Sequence, residues 1–123
     1  NLERHRKHRF SRSVVMSNPP SSTVHALRVL LDPNRTIGYQ QELRWNFDTG
    51  ETTGLLIRND VAVPTGGKDS NLSISLSVET WANLLAGKVT LSDSLTSGMI
   101  TTENTTEQIT LFFSHFDLPT FTQ

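Results

Sequence analysis

The fold is decided by residues 71–119, which read NLSISLSVETWANLLAGKVTLSDSLTSGMITTENTTEQITLFFSHFDLP. Apolar residues alternate with serines over residues 72–77, and this two-residue period predicts a strand with one buried face. The apolar spacing then changes to three and four residues over 78–85, which predicts a helix. Gly87 follows at the position where a left-handed residue commonly ends a helix. The stretch therefore opens with a strand that leads directly into a helix.

The second half of this stretch predicts a short helical turn, a strand and a last helix. Ser92 is placed to cap a short helical turn and Gly98 to end it. A strand is predicted over residues 99–103 and a last helix over residues 105–116. The buried stripe of that helix is large and apolar, and it consists of Ile109, Phe112, Phe113 and Phe116. The C-terminal half of the chain therefore predicts two helices that bury aromatic side chains against a small sheet.

The first half of the chain predicts three further strands joined by tight turns. Apolar and polar residues alternate over 43–47, and turn residues at 48–51 and 59–60 separate this strand from strands over 52–58 and 61–64. Because short turns join antiparallel neighbours, these three strands are predicted to form an antiparallel meander.

A helix is predicted before this meander. It begins at Ser22 or Thr23 and ends at Asp32-Pro33-Asn34. Its inward stripe consists of Val24, Leu27, Leu30 and Leu31. Together these elements predict an α/β fold of the α+β type, in which a mostly antiparallel sheet of about five strands has helices packed on one face.

Six short stretches, taken in order, carry a resemblance to a known family. They are LRWNFDTGE (43–51), LLIRNDV (55–61), SVETW (77–81), LLAG (84–87), SGMI (97–100) and FDLP (116–119). Together they resemble the C-terminal domain of the alkyl sulfatases, a branch of the sterol-carrier-protein-type-two-like domains that hold apolar ligands. The chain differs from the family at Asn59-Asp60, where Asn-Gly is usual, and at Glu103-Asn104, where a glycine and an acidic residue are usual. The resemblance implies a sterol-carrier-protein-like fold.

The resemblance also implies a binding function. Domains of this type leave an apolar tunnel between sheet and helices, which the two C-terminal helices would line in this chain. The ligand-binding candidates are Trp81, Leu84, Leu85, Ile109, Phe112, Phe113 and Phe116. The expected partner is an apolar small molecule or lipid tail, such as an alkyl chain, a fatty acid or a sterol-like lipid. Such a chain binds without polar contacts because each buried methylene contributes roughly 0.8 kcal/mol.

The resemblance places catalysis outside this chain. Alkyl sulfatases cleave the sulfate ester in a metallo-β-lactamase-like domain, at a dinuclear metal centre whose ligands come from an H-x-H-x-D-H motif. This chain lacks that motif. The resemblance therefore implies a non-catalytic, tail-binding accessory module with such a domain upstream. The alternative is a protein-protein docking or dimerisation module, in which the same apolar residues fill a solid core.

Length and composition agree with one domain that has no transmembrane segment. The chain has 123 residues, of which 35% are hydrophobic and 19% charged, and its apolar runs are far shorter than the roughly 20 residues that cross a bilayer. No secretory signal is visible, and cysteine is absent, which excludes disulfides and thiolate chemistry. These absences favour the cytoplasm without deciding the compartment. The turn-rich residues 17–22 predict a boundary between a basic segment or linker (1–18) and a sterol-carrier-like lipid-binding domain (19–123).

Basic residues are concentrated at the N-terminus. Five of the 11 lysines and arginines lie within residues 1–12, whereas the remainder has six basic and 11 acidic residues, a formal charge of −5. Such an arm could neutralise nucleic-acid phosphates. However, Phe10 is its one aromatic residue, and the acidic remainder would repel a polyanion. The pattern therefore favours a solvated linker over a nucleic-acid partner.

The four histidines predict neither catalysis nor metal binding. His5 and His8 are three residues apart, but they lie among cations that disfavour a metal ion. His25 lies beside the inward stripe of the first predicted helix and is expected to be partly exposed. His115 and Asp117 could pair beside a serine, but in a chain with 13 serines and no G-x-S-x-G motif such combinations arise by chance. No catalytic residue, metal ligand or cofactor is therefore predicted.

Overall fold

A mixed sheet of five strands forms one layer of the computed structural model, which describes residues 11–122. The strands in chain order are β1 (Gln41–Phe47), β2 (Thr52–Arg58), β3 (Val61–Thr65), β4 (Leu72–Leu76) and β5 (Ile100–Thr101). They lie side by side in the order β3-β2-β1-β4-β5. β1 and β4 run parallel, whereas the other neighbouring pairs are antiparallel. The predicted fold class, with its mostly antiparallel sheet, is confirmed.

β1 is the central strand, and its inward side chains lie in the middle of the core. On one side of it, β2 and β3 complete the predicted antiparallel meander. The turn between them places Asn59 and Asp60 at φ angles of 51° and 65°. On the other side, β4 pairs with β1 so that Ile74 lies beside Trp45. Trp45 is therefore flanked by a strand on both sides.

The helices pack on the inner face of this sheet. They are α1 (Arg12–Ser17), α2 (Pro20–Ala26), α3 (Val78–Leu85), α4 (Leu91–Ser97), α5 (Thr106–Phe113) and α6 (Pro119–Thr122), with 3₁₀ turns at Leu27–Leu30 and Pro33–Arg35. Their buried side chains and those of the strands form a hydrophobic core cluster. Gly87 and Gly98 follow α3 and α4 in left-handed conformation, at φ angles of 81° and 83°, as the sequence predicts.

Two predicted helix starts are wrong. α2 begins at Pro20 rather than after Ser22 or Thr23, because proline fits the first helical turn, where an N–H has no intrahelical partner. Thr23 is instead buried in the core. α4 is capped by Thr90 rather than Ser92, since the Thr90 side chain accepts a hydrogen bond from a backbone N–H of the first turn.

The loop between β3 and β4 packs on the outer face of the sheet. Gly67 has a φ of 77°, and a Cβ at this position would lie 2.8 Å from Cγ of Arg44. Gly54 of β2 lies directly beneath it, since a Cβ there would be 2.6 Å from Cα of Gly67. Both positions therefore require glycine because the two backbone segments approach closely.

α1 packs against α3. Nε of Arg12 donates to Oδ1 of Asn83 at 3.0 Å, and Nη2 of Arg12 lies 3.3 Å from Oε1 of Glu79. Val15 of α1 is buried. The predicted boundary between residues 18 and 19 stays a prediction.

Over residues 11–122, no helix combines the length and the hydropathy that crossing a membrane requires.

Candidate functional site

The candidate site is the layer in which α3 and α5 pack on the sheet. The structure places all seven predicted residues there, in the core: six of the side chains are 0% exposed and the seventh is 4% exposed. They are Trp81, Leu84 and Leu85 of α3, Ile109, Phe112 and Phe113 of α5, and Phe116 beyond the end of α5. That these residues line a ligand site stays a prediction.

Six aromatic rings form a continuous cluster in this layer. They are Trp45, Trp81, Phe112, Phe113, Phe116 and Phe121. Phe113 makes the most ring contacts among them. Its ring centroid lies 5.8 Å from that of Trp45 and 6.5 Å from that of Trp81. The centroids of Phe112 and Phe121 lie 5.6 Å and 4.7 Å away. Such offset and edge-to-face pairs contribute beyond the apolar area that they bury.

Two members of the cluster are absent from the predicted site. The alternation along β1 places Trp45 on a buried face, but it carries no signal of which helices cover that face. Phe121 lies in α6, which is only four residues long and too short to display a helical period. Only the packing of β1 and α6 against α5 brings these two residues into the cluster.

The aromatic stripe of α5 is held in place at both ends of the helix. At its start, Thr105 and Gln108 form a capping box, in which each side chain accepts a hydrogen bond from the other residue's backbone N–H. Beyond its end, the chain turns back towards the 3₁₀ segment, where the N–H of Asp117 donates to the carbonyl oxygen of Leu30 at 2.7 Å. This hydrogen bond holds the chain in place next to Phe116, which is fully buried.

The two indole N–H groups of the cluster differ in their hydrogen bonding. Nε1 of Trp81 donates to Oγ1 of Thr23 at 2.9 Å. Nε1 of Trp45 is buried and has no acceptor within residues 11–122. Because α2 begins at Pro20, Thr23 lies inside this helix and not at its start. There its hydroxyl accepts the hydrogen bond from Trp81.

Tyr39 and His115 stack at the edge of the core. Their ring centroids are 3.9 Å apart, and the ring planes are inclined by 19°. Burial raises the pKa of the Tyr39 phenol from 10.0 to about 12, because desolvation disfavours the charged phenolate.

This shift predicts a loss of stability in alkali. The unfolded chain releases the Tyr39 proton near pH 10, whereas the folded chain retains it up to about pH 12. The contribution of Tyr39 is therefore complete below pH 10 and is lost as the pH rises to about 12. Absorbance of tyrosinate reports this directly because the chain has 1 tyrosine. We expect Tyr39→Phe to remove that part of the alkaline destabilisation. An ordinary titration near pH 10 in the native protein would contradict the desolvation of the Tyr39 phenol.

The described histidines are engaged in structural hydrogen bonds. Nδ1 of His115 lies 3.2 Å from the carbonyl oxygen of Phe112. The ring donates to this oxygen when Nδ1 carries a proton. Nε2 of His25 lies 2.9 Å from Oγ1 of Thr53, and His25 is partly exposed. Across residues 11–122, no three His, Asp or Glu side chains gather into a group that could hold a metal ion. The pair at positions 5 and 8 lies outside the described residues.

An open depression of about 410 Å³ lies on the outer side of α5. It is lined by Thr106, Glu107, Thr110, Leu111 and Ser114. Leu111 is 52% exposed, in contrast to its buried neighbours on the same helix. This depression is separate from the aromatic cluster because it lies on the opposite face of α5.

The sequence matches a known family over almost its whole length. The family model described as alkyl sulfatase C-terminal matches residues 9–122. The chain belongs to the alkyl sulfatase C-terminal family. No curated protein sequence matches it.

Solved structures with the same fold include sulfatases and a sterol-carrier-type protein. The stereoselective inverting sec-alkylsulfatase Pisa1 from Pseudomonas sp. is similar with a TM-score of 0.72 at 20% identity, over 84% of this chain and 17% of that chain. A double mutant of the same sulfatase gives a TM-score of 0.74 at 20% identity, over 85% and 17%. Palmitated SCP2L2 from Aedes aegypti, solved by solution NMR, gives 0.54 at 12% identity, over 70% and 83%. The chain therefore spans about one sixth of the sulfatases it resembles, and these likenesses establish the sterol-carrier-protein-like fold.

The two departures from the family pattern have local structural roles in this member. Oδ1 of Asp60 lies 3.0 Å from Oγ1 of Thr36, so the hairpin turn is tied to the segment before β1. Oδ1 of Asn104 accepts a hydrogen bond from the N–H of Ser73 at 3.0 Å, and its Nδ2 donates to the carbonyl oxygen of Asn71. Asn104 thus continues the pairing of β4 where β5 has ended, and an ionised acidic residue at this position could not donate the hydrogen bond to Asn71.

Proposed function

We propose that this domain of the alkyl sulfatase C-terminal family binds apolar ligands and does not itself catalyse a reaction. The ligand is an alkyl chain, a fatty acid or a sterol-like lipid. The observation that carries the proposal is the aromatic cluster between β1 and the helices α3, α5 and α6, because its rings offer a continuous apolar environment. The fold that the chain shares with palmitated SCP2L2 supports the same function.

The physical basis of binding is burial of methylene groups. A chain inserted between α3 and α5 contacts Trp81, Leu84, Ile109 and Phe113, none of which has a charged group. Each methylene transferred from water into such surroundings contributes roughly 0.8 kcal/mol. The affinity then rises with the length of the alkyl chain, and the polar head group contributes little to the binding free energy.

The family to which the chain belongs is described as the C-terminal part of alkyl sulfatases. We propose that it is the tail-binding C-terminal module of an alkyl-sulfatase-type hydrolase, with a metallo-β-lactamase-like domain upstream that performs the chemistry. The 17% share of the sulfatase chain that it matches supports this assignment. On this proposal residues 19–123 form the ligand-binding domain, and residues 1–18 are a basic N-terminal segment or linker whose helix α1 packs against α3. The cytoplasmic location stays a prediction.

A second candidate function is that of a protein-protein docking or dimerisation module with a filled core. The specific observation in its favour is the contact among the candidate side chains themselves, since the centroids of Phe113 and Phe121 are 4.7 Å apart. A ligand must separate such rings before it can enter. A docking module keeps them packed and self-associates or binds a protein through its surface.

A chain-length series distinguishes the two functions. Octanol, decanol and dodecanol are titrated into the protein while the fluorescence of Trp45 and Trp81 is followed. The proposed function predicts saturable one-to-one binding, with affinity rising by up to roughly fourfold per methylene. Dodecyl sulfate below its micelle range is expected to bind through the same chain.

The matched control is Leu111→Asn, which removes the apolar side chain from the outer depression of α5. We expect it to leave the titration unchanged, because the proposed ligand lies on the opposite face of the helix. If Leu111→Asn abolishes binding, the alkyl chain of the ligand lies in the outer depression, and the proposed site in the aromatic cluster is wrong. If no alcohol binds and the native mass spectrum contains dimers, the docking function replaces the proposed one.

A further inference from the structure

The buried indole N–H of Trp45 is an unused hydrogen-bond donor. Its side chain is 0% exposed, and Nε1 has no acceptor within residues 11–122. Folded proteins pair the great majority of their buried polar groups, because an unpaired donor forfeits its bond to water without replacement. An orphaned donor in a ligand-binding core therefore points to a partner that arrives with the ligand.

Trp81 shows how an indole in the same cluster is normally satisfied. The ring centroids of the two tryptophans are 5.7 Å apart, and both side chains are fully buried. Nε1 of Trp81 donates to Oγ1 of Thr23 at 2.9 Å. The chain thus supplies an acceptor for one of the two donors and leaves the other without one.

The strands beside Trp45 do not offer it an acceptor. Its neighbour on β4 is Ile74, which has no polar side-chain atom. Its neighbour on β2 is Thr53, whose hydroxyl lies 2.9 Å from Nε2 of His25 and makes no hydrogen bond with Nε1 of Trp45. Above it lie the rings of Phe112 and Phe113, at centroid distances of 6.1 Å and 5.8 Å.

We propose that the ligand of this domain is an alkyl amphiphile with a neutral oxygen acceptor, and that this oxygen accepts a hydrogen bond from Nε1 of Trp45. This inference rests on the proposed function and adds the chemical class of the ligand. An alcohol, an ester or a protonated acid has the required oxygen, whereas a plain alkane does not.

The oxygen is neutral because the core supplies no fixed cation. The buried polar side chains among residues 11–122 belong to threonine, serine and histidine, with no lysine or arginine among them. An anion placed beside Trp45 would therefore lose its hydration without gaining a counter-charge. A sulfate or carboxylate head is expected to remain at the surface.

The test is a comparison of octanol with nonane, which replaces the hydroxyl by a methyl group of similar size. Both ligands are titrated into the native protein, Trp45→Phe and Trp81→Phe. We expect Trp45→Phe to weaken octanol about tenfold more than nonane, because only the alcohol loses a hydrogen bond. Trp81→Phe is the matched control and is expected to change both affinities by the same factor, since its N–H is bound to Thr23.

Indole N–H resonances of the native protein provide a readout that does not depend on the folding of either variant. The chain has 2 tryptophans, so a nitrogen-labelled sample gives two such signals. Octanol is expected to move the Trp45 signal downfield, whereas nonane leaves it near its ligand-free position.

Failure of this inference is distinguishable from failure of the proposed function. If both ligands bind, Trp45→Phe weakens them equally and the indole signals respond to both alike, the oxygen acceptor is wrong and the apolar site stands. If neither ligand binds to the native protein, the apolar site is wrong. The proposal of an oxygen that accepts from Trp45 is then wrong as well.

Discussion

Gly54→Ala is expected to destabilise the domain by about 3 kcal/mol. A Cβ at this position would lie 2.4 Å from Oγ1 of Thr65 and 2.6 Å from Cα of Gly67. The loop cannot easily lift away, because the hydroxyl of Ser70 bonds to the carbonyl oxygen of Glu42 at 2.6 Å. Denaturant unfolding followed by tryptophan fluorescence measures the change in free energy.

Gly66→Ala is the matched control for this prediction. Gly66 lies in the same loop, but a Cβ there would meet nothing within 4 Å. We therefore expect its unfolding free energy to stay within about 0.5 kcal/mol of the native value. Equal stabilities for Gly54→Ala and Gly66→Ala would contradict the packing of this loop on the outer face of the sheet.

Phe113→Ala is expected to cost about 3–5 kcal/mol, the range for truncating a large buried aromatic residue. Its ring is fully buried and contacts Trp45, Trp81, Phe112 and Phe121. Removing it leaves a cavity at the centre of the cluster, which the neighbouring rings can close only in part. Thermal and denaturant unfolding measure the loss.

Leu111→Ala serves as the control on the same helix. Leu111 is 52% exposed, so its truncation removes little buried apolar area and is expected to cost less than about 0.5 kcal/mol. Comparable losses for the two variants would show that α5 does not present its aromatic stripe to the sheet. The face of α5 on which the proposed ligand lies would then be wrong.

Local periodicity predicted most of the fold correctly. The strand over residues 52–58 was predicted at the observed ends of β2, because turn residues bound it on both sides. Gly87 and Gly98 adopt the predicted left-handed conformation, since both lie just beyond the end of a helix. The spacing along α5 likewise predicted which of its side chains are buried.

The order of the strands could not be read from the sequence. The alternation over 72–76 shows that one face of β4 is buried, but a period carries no information on which strand lies alongside. β4 pairs in parallel with β1, and this pairing places Ile74 next to Trp45. The start of α2 was also missed, because Pro20 can begin a helix without any side-chain cap.

The burial of the candidate residues was predicted from the sequence, but their hydrogen bonding was not. All seven candidate residues are buried, as expected of an apolar stripe at helical spacing. The donor of Trp45 was not predicted, because an unpaired N–H becomes visible only when every neighbouring acceptor has been placed. The pairing of Trp81 with Thr23 depends in the same way on contacts between residues 58 positions apart.

The proposed function requires that an alkyl chain binds inside the aromatic cluster. Intermolecular nuclear Overhauser effects between the protons of dodecanol and those of the protein test it most directly. We expect contacts from the methylene protons of dodecanol to the rings of Trp81 and Phe113. Contacts confined to Leu111 and its neighbours on the outer side of α5, or no contacts at saturating alcohol, would contradict the proposed function.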